Sequence, residues 1–386
     1  MNDELKQEAA AKFEKAFGRA PQVMAYAPGR IEVLGNHVDY NDGRVLSAAI
    51  GEGTFFAAAP AQGRGCRLVA GDLMREVSFS LDDVAPRKED TWQNYVAGTF
   101  HCAFGGETAS LPHGFDALFL GDVPQGAGLS SSAALEMSTA LALAKLYGCE
   151  VPSLDLAKAG QKAEHEFAGC SCGLLDQISS LAGKDGSLIL TDFRSLEWET
   201  VSMGGDAAFL MAVSSASHAL ADGAYDERRR ACETAAAHFA KTLRHEVRAL
   251  RDVTAAEWVL HRDGLDETVA RRAIHPIGEN ERVGIGVECL ARGDLAAFGA
   301  LMYDSHESSR AWFENSCVEL DRIVEAAKSI PEILGARLSG GGFGGSCCVL
   351  VRRADAEKAA AALREKAGDA LARISLVVPS EGARLV

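Results

Sequence analysis

A loop rich in glycine and serine constrains the fold of this chain more than any other stretch. It covers residues 122–136 and reads Asp-Val-Pro-Gln-Gly-Ala-Gly-Leu-Ser-Ser-Ser-Ala-Ala-Leu-Glu. An apolar, strand-like run, Phe115 to Leu120, precedes it, and a helix-forming run rich in Ala and Leu, Ala133 to Leu146, follows it. The first N–H groups of a helix lack internal partners, and the helix dipole favours negative charge there. This order of elements therefore predicts an anion-binding site.

The candidate phosphate ligands of this loop are glycine backbone groups and serine hydroxyls, namely those of Gly126, Gly128, Ser130, Ser131 and Ser132. The loop is not a Walker P-loop, because no Gly-Lys-Ser/Thr follows the glycines, and it lacks the dinucleotide fingerprint Gly-x-Gly-x-x-Gly/Ala. By itself, the pattern is equally compatible with an ordinary glycine-rich turn followed by a serine N-cap.

The length of the chain predicts two domains, because 386 residues are many for one hydrophobic core. Apolar residues make up 47% of the sequence, which is enough for well-buried cores. The pattern of elements restarts around Gly204-Gly205-Asp206, so we expect one domain over residues 1–204 and a second over 205–386.

The net charge of −15 argues against a general nucleic-acid-binding or membrane-binding surface. A negatively charged substrate would therefore need a local positive site or a metal ion. Ten unevenly spaced cysteines indicate free thiols rather than a disulfide framework or a zinc ribbon. With no signal peptide visible and no apolar run of membrane-spanning length, we expect a cytoplasmic protein. We also expect a monomer or a weak homo-oligomer.

Two further stretches carry polar side chains that suggest chemistry. Residues 30–43 place Arg30, Asn36, His37 and Asp39 between strand-like runs, which is typical either of a polar-ligand site or of an ordinary charged hairpin loop. In residues 168–177, Asp176 stands among apolar neighbours. A carboxylate in such surroundings is either a satisfied core group or a catalytic one.

Other features leave their roles open at this point. Trp92 and Tyr95 stand three residues apart in a helical pattern and could face a base or the core. The run Ser339-Gly-Gly-Gly-Phe-Gly-Gly-Ser346 indicates a strand-to-strand turn or backbone pressed against another segment or a ligand. Arg228, Arg229 and Arg230 are interpreted as a solvated helix face.

Taken together, the motifs are similar to those of the GHMP kinases, and within that family to those of the galactokinases. The resemblance runs from about Val23 to Val351. Its motifs occur in the family's order: Gly29-Arg-Ile-Glu-Val-Leu-Gly-Asn-His-Val-Asp-Tyr-Asn, Pro124-x-Gly-x-Gly-Leu-Ser-Ser-Ser-Ala, Cys172-Gly-Leu-Leu-Asp-Gln, Asp192-Phe-Arg-Ser-Leu-Glu, Tyr225-x-x-Arg-Arg-x-x-Cys-Glu and Leu338-Ser-Gly-Gly-Gly-Phe-Gly-Gly.

The resemblance implies the GHMP kinase fold, of class α+β, with two α+β domains and the active site in the cleft between them. It implies an ATP-dependent sugar 1-kinase that phosphorylates the C1 hydroxyl of galactose and uses Mg²⁺. By position, Asp176 matches the family's catalytic base and Arg30 the arginine beside it. Other positions match the magnesium-associated residues (Ser132, Glu164), residues near the adenine (Trp92, Tyr95) and the sugar contacts (His37, Asp39, Gly173, Tyr225).

Departures from the galactokinase signature put the identity of the sugar in question. Asn36 stands where the signature has a glutamate, Glu32 where it has an asparagine, and Ser47 where a proline is common. An amide brings no charge to a sugar hydroxyl, and it donates as well as accepts. A kinase acting on another hexose or a modified sugar is therefore the second hypothesis. A catalytically silent sugar and ATP sensor is the third.

Overall fold

The fold is built from helices and sheets that alternate along the chain. The computed structural model describes residues 2–89, 92–124, 126–170, 172–216 and 223–386. The helices in these ranges are α1 Asp3–Phe17, α2 Trp92–Ala103, α3 Ser131–Leu146, α4 Ser153–Ala163, α5 Leu175–Ala182, α6 Ala224–Thr242, α7 Ala255–His261, α8 Glu267–Ala291, α9 Leu295–Ser308, α10 Val318–Lys328 and α11 Ala356–Ala367.

The strands of the same ranges form two sheets. They are β1 Val23–Leu34, β2 Arg44–Pro60, β3 Gly65–Ala70, β4 Arg75–Ser80, β5 Phe115–Gly121, β6 Ser187–Asp192, β7 Glu197–Ser202, β8 Ala207–Ser214, β9 Ile333–Ser339, β10 Ser346–Arg352, β11 Leu371–Val377 and β12 Arg384–Leu385. This mixture agrees with the predicted α+β class.

The first sheet has the strand order β12-β1-β2-β5-β3-β4, and β6 and β7 continue from β2. β2 spans 17 residues, so it can pair with β1 along one edge and with β5 and β6 at different points along the other. From the sequence, Pro28 and Gly29 predict a break in the strand that begins at Val23, and this prediction is wrong. β1 continues to Leu34 through a register shift between Pro28 and Arg30, which places Arg30 on a strand rather than on a loop.

The second sheet is antiparallel, with the order β11-β8-β10-β9, and it buries both of its faces. Alternate residues of β8 show this directly. Phe209 and Met211 enter a core shared with β1 and β2, whereas Leu210 lies in a core formed with α10 and α11. Because side chains alternate along a strand, each residue of β8 is committed to one of these cores.

The predicted division at residues 204 and 205 falls between β7 and β8, which belong to different sheets. β12 returns from the C-terminal end and pairs with β1 through Ala25–Leu385 and Tyr26–Arg384. The exact domain limits therefore stay a prediction. All ten cysteines are free thiols, and no helix in the described ranges is long and apolar enough to cross a membrane.

Arg228 corrects the expectation that its basic run is a solvated helix face. The residue is only 7% exposed. Its guanidinium donates to the carbonyl oxygens of Phe313 at 2.9 Å and of Glu314 at 2.6 Å. These carbonyls lie at the end of a π-helical turn, where backbone acceptors lack helical partners. Arg228 is therefore a buried structural donor.

Glu279 on α8 fastens the second half of the chain to the turn after β1. Its fully buried carboxylate accepts from the backbone N–H of Gly35 at 3.1 Å and of Asn36 at 2.9 Å, and from Ser305 Oγ at 2.9 Å. It also forms an ion pair with Arg282. Burial alone would raise the pKa of Glu279. The charge of Arg282 and the backbone N–H donors instead lower this pKa to about 2.

We predict that Glu279→Gln lowers the free energy of unfolding by about 3 kcal/mol at pH 7, because a buried ion pair is broken. Urea denaturation measures this change. A depressed pKa means that the carboxylate stabilises the folded state above its ordinary value of 4.5 and loses that effect as the pH falls toward 2. The difference between wild type and variant should shrink over that interval.

The control is Glu288→Gln on the same helix, where the glutamate side chain is 72% exposed and 3.7 Å from Arg292. An exposed pair of this kind contributes little, so this change should stay within about 0.5 kcal/mol. Equal destabilisation by both variants would contradict the role given to Glu279.

Candidate active site

The centre of the site is a two-point ion pair between Arg30 of β1 and Asp176 of α5. Arg30 Nε and Nη2 donate to the two carboxylate oxygens of Asp176, each at 2.8 Å. The arginine is 6% exposed, whereas a quarter of the aspartate side chain remains accessible. Parallel guanidinium–carboxylate bonds fix orientation as well as charge. The carboxylate is thus held in one orientation while one side stays accessible to a ligand.

The glycine- and serine-rich loop is fastened to the same pair. Arg30 Nη1 donates to Gly128 O at 2.7 Å, and the backbone N–H of Arg30 donates to Leu129 O at 3.0 Å. Ser130, in the left-handed region at φ 56°, directs its hydroxyl to Asp176 Oδ2 and makes no capping bond to α3. The alternative of an ordinary serine N-cap is therefore wrong for this residue.

A cavity opens above the Arg30–Asp176 pair, with an empty volume of about 560 Å³. All residues that the sequence suggested as catalytic or sugar-binding line it, namely Arg30, Asn36, His37, Asp39, Gly173, Asp176 and Tyr225. They come from β1, the turn after β1, the start of α5 with the segment before it, and the first turn of α6, and only the fold brings these four segments together.

His37 forms part of the wall with both ring nitrogens already in use. Nε2 lies 2.9 Å from Gly341 O, which can only accept, so Nε2 carries the proton. Nδ1 then accepts from the Tyr40 hydroxyl at 2.7 Å. Burial lowers the pKa of His37 to about 4, so the ring is neutral at pH 7. The ring also packs 5.1 Å from that of Tyr225.

Asp39 and Gly173 meet at the opposite side of the cavity. A Cβ placed on Gly173 would overlap Asp39 Oδ2, so only glycine leaves room for this carboxylate. Burial, together with the charges of Glu32 and Asp176, raises the pKa of Asp39 to about 7. The cavity therefore contains a carboxyl group that titrates near neutrality.

A second cavity, with an empty volume of about 860 Å³, lies on the other side of the glycine- and serine-rich loop. Trp92, Tyr95, Ser131 and Ser132 line it, together with Phe119, whose ring is 5.5 Å from that of Trp92. Of the remaining candidates in this loop, Gly126 is exposed, and both Gly126 and Gly128 have positive φ, at 69° and 70°. Serine hydroxyls and an aromatic wall thus border one space.

Glu164 lies in the π-helical turn after α4, is 5% exposed, and borders neither cavity directly. Its carboxylate lies close to Glu136, one turn further along α3 than Ser132, and burial and the Glu164 charge raise the pKa of Glu136 well above its usual range. The thiols of Cys170 and Cys172 are also within 4.8 Å of a Glu164 oxygen. Two neighbouring carboxyl groups favour a cation, and Ser132 and Glu164 offer the oxygen ligands that Mg²⁺ prefers.

The two departures from the signature, Glu32 and Asn36, are hydrogen-bonded to each other. Asn36 Nδ2 donates to Glu32 Oε1 at 2.9 Å, and Arg337 Nη1 donates to the same oxygen at 3.0 Å. Glu32 is 3% exposed, and Asn36 and Arg337 are fully buried. Carboxyl group and amide have therefore exchanged positions relative to the signature, and the region keeps one of each.

Sequence reasoning missed several residues of the first cavity. Glu32, Cys170, Cys172, Leu175, Gly340 and Gly341 also line it. Glu32 could have been suspected because it departs from the signature. Gly340 and Gly341 belong to the run interpreted as a strand-to-strand turn or as backbone pressed against another segment or a ligand. The turn is confirmed because the run joins β9 to β10, and its backbone also contacts another segment, since the N–H of Phe343 donates to Asn315 O at 2.7 Å.

Three stretches match known families. Residues 11–60 match the galactokinase galactose-binding signature, residues 94–184 the N-terminal domain of GHMP kinases, and residues 287–369 their C-terminal domain. The first match covers the turn that carries Asn36 and His37, and the second covers the loop and Asp176.

Solved structures agree with these matches. The Lactococcus lactis galactokinase complexed with galactose is 30% identical, covers 98% of this chain and 99% of its own, and superposes with a TM-score of 0.91. The Methanococcus jannaschii mevalonate kinase is 17% identical, and the match covers 95% of this chain and 99% of its own, with a TM-score of 0.64. The Cytophaga hutchinsonii homoserine kinase is 18% identical, and the match covers 94% of this chain and 97% of its own, with a TM-score of 0.61. At these identities, the mevalonate kinase and the homoserine kinase show the fold alone. The chain belongs to the galactokinase family of the GHMP kinases and is an ATP-dependent sugar kinase.

Proposed function

We propose that this enzyme transfers the γ-phosphoryl group of ATP to the C1 hydroxyl of galactose, giving galactose 1-phosphate and ADP. The observation that carries the proposal is the Arg30–Asp176 pair, which lies between a cavity lined by sugar-binding candidates and the loop that opens α3. The Lactococcus lactis relative, a galactokinase whose structure contains galactose, supports the choice of sugar.

The first cavity would hold the sugar. Asp39 would accept from sugar hydroxyls, and the backbone at Gly173 would approach the same region. Tyr225 and the neutral His37 would supply an aromatic wall beside the polar groups. Such a combination of carboxylate, backbone and aromatic surface is suited to a polyol with one less polar face.

The chemistry would use Asp176 as general base. It would take the proton of the C1 hydroxyl as that oxygen forms its bond to the γ-phosphorus and the bond to the bridging oxygen of ADP breaks. Arg30 would keep the carboxylate ionised and offset the charge on the transferring group. The hydroxyl of Ser130, which donates to Asp176, would orient the carboxylate further.

The second cavity would hold the nucleotide, with Trp92 and Tyr95 near the adenine. Gly126, Gly128 and the N-terminus of α3 would receive the phosphates, since helix N-termini favour anions. Ser131 and Ser132 add hydroxyl donors. Ser132 and Glu164 would hold Mg²⁺, which neutralises phosphate charge when bound.

The other hypotheses give different outcomes in one assay. A sugar panel with coupled detection of ADP separates galactose from other hexoses, and a silent sensor would produce no ADP at all. The intact Arg30–Asp176 pair disfavours the sensor. We further propose a cytoplasmic enzyme, monomeric or weakly homo-oligomeric, without a nucleic-acid or membrane partner. The net charge of −15 and the exposed free thiols Cys149 and Cys170 support this.

We predict that Asp176→Asn lowers kcat by about 100-fold or more, because a general base is lost while the side chain keeps its shape. The thermal midpoint should change by only a few degrees. Coupled ADP release and a melting curve measure the two effects. Asp155→Asn, at an exposed position on α4, is the matched control and should retain wild-type rates. A near-normal rate for Asp176→Asn would exclude the assigned base.

We predict that kcat/KM for galactose rises as the pH increases from 6 to 8, with its midpoint near 7, and levels off above this interval. Asp39 is protonated below its pKa of about 7, and only the ionised form offers all its oxygens as acceptors to sugar hydroxyls. Asp39→Asn should have a lower kcat/KM that no longer changes over this interval. If the slope persists in Asp39→Asn, another group causes it.

We predict that Glu164→Gln raises by about tenfold or more the free Mg²⁺ concentration needed for half-maximal rate, since a charged oxygen ligand is removed. The measurement is a Mg²⁺ titration of initial rates at fixed ATP. Glu166→Gln, two residues further and 52% exposed, is the control and should leave the titration unchanged. Identical titrations for Glu164→Gln and wild type would remove Glu164 from the metal site.

A further inference from the structure

Asn36 lines the sugar cavity, but its side chain has no hydrogen-bonding capacity left for a ligand. Its amide nitrogen donates to Glu32 Oε1 at 2.9 Å and to Gly340 O at 2.7 Å. Its amide oxygen accepts from Asn315 Nδ2 at 2.9 Å and from Ser309 Oγ at 3.4 Å. A primary amide has two donors and about two acceptor sites, so all are occupied.

Glu32 differs, because half of its carboxylate is free. Oε1 accepts from Asn36 and Arg337, whereas Oε2 accepts from no residue in the described part of the chain. The residue lines the same cavity as Arg30 and Asp176. A carboxylate oxygen in a cavity wall that has no protein donor is suited to a hydroxyl donor brought by a ligand.

Arg337 keeps Glu32 in place. This fully buried arginine forms its ion pair with Glu32 and also donates to the backbone oxygen of Glu32 at 3.3 Å. Burial raises the pKa of Glu32, and the guanidinium opposes this effect. Because Asn36 and Arg337 both donate to Oε1, they fix that oxygen and leave Oε2 for a ligand.

We propose that Glu32 determines sugar specificity by accepting, through Oε2, a hydrogen bond from one hydroxyl of the bound monosaccharide. Asn36 and Arg337 are positioning residues that orient this carboxylate. The inference rests on the proposed function, because it requires the sugar to occupy this cavity. It also explains why Glu32 and Asn36 depart from the signature together: the carboxylate has moved to position 32, and the amide at position 36 now holds it.

The decisive variant is Glu32→Gln, which keeps size and shape but replaces an oxygen acceptor with either an uncharged acceptor or an N–H donor. The assay compares kcat and KM for galactose and for its 2-, 3-, 4- and 6-deoxy derivatives. For galactose we expect KM to rise by about 10- to 100-fold, the loss typical of a charge-assisted bond, with kcat changed much less. For one deoxygalactose, wild type and variant should have nearly equal kcat/KM, and that sugar identifies the hydroxyl.

Glu279→Gln is the control for indirect effects. Glu279 accepts hydrogen bonds from the backbone N–H groups of Gly35 and Asn36 but does not line the cavity. Disturbing the region in this way should change kcat/KM by the same factor for every sugar. If Glu32→Gln also reduces kcat/KM by one uniform factor, Glu32 has only a structural role and the inference is overturned.

A second variant keeps the test decisive if Glu32→Gln folds poorly. The double variant Glu32→Asn, Asn36→Glu retains one carboxylate and one amide. Its thermal midpoint should therefore exceed that of either single variant. The deoxygalactose profile of this double variant should differ from that of wild type; an unchanged profile would contradict the proposal. Absence of galactose turnover in the wild type would instead refute the proposed function.

Discussion

The site depends on the guanidinium of Arg30, which joins three segments that are distant in sequence. It binds the carboxylate of Asp176, 146 residues away, and the carbonyl of Gly128, 98 residues away. Because all these bonds come from one planar group on a strand, the carboxylate of Asp176 and the glycine- and serine-rich loop are held in fixed relative positions. A buried arginine without its carboxylate would be strongly unfavourable, which ties the geometry of the site to the folded state.

Buried charge in this acidic chain is arranged in local pairs. The net charge is −15, and the buried arginines Arg30 and Arg337 each face a carboxylate at the first cavity. At Glu32 the guanidinium of Arg337 lowers the pKa, against the larger rise that burial causes. The proposed nucleotide site would rely instead on backbone N–H groups at the start of α3 and on serine hydroxyls, which carry no charge of their own.

Close backbone packing is the second condition for the site. Gly128 lies against the run between β9 and β10, which itself supplies Gly340 and Gly341 to the cavity. Gly173 leaves space for Asp39 in the same way. The two glycine-rich loops therefore meet where one sheet faces the other. The shared core beneath them, which includes Ile31 and Phe209, holds the two sheets in fixed relative positions.

The sequence by itself determined the main elements, the order of the motifs and most residues of the cavity, because helix ends, glycine loops and alternating apolar patterns are local properties. It could not show that Arg30 lies on a continuous strand, that Arg228 is buried, or that Asn36 is saturated while Glu32 is not. The first two depend on pairing with β2 and on the carbonyls of Phe313 and Glu314, and the last depends on partners hundreds of residues away, such as Arg337 and Asn315. Whether a polar side chain is available to a ligand is decided by which other groups occupy its donors and acceptors, and only tertiary structure supplies those groups.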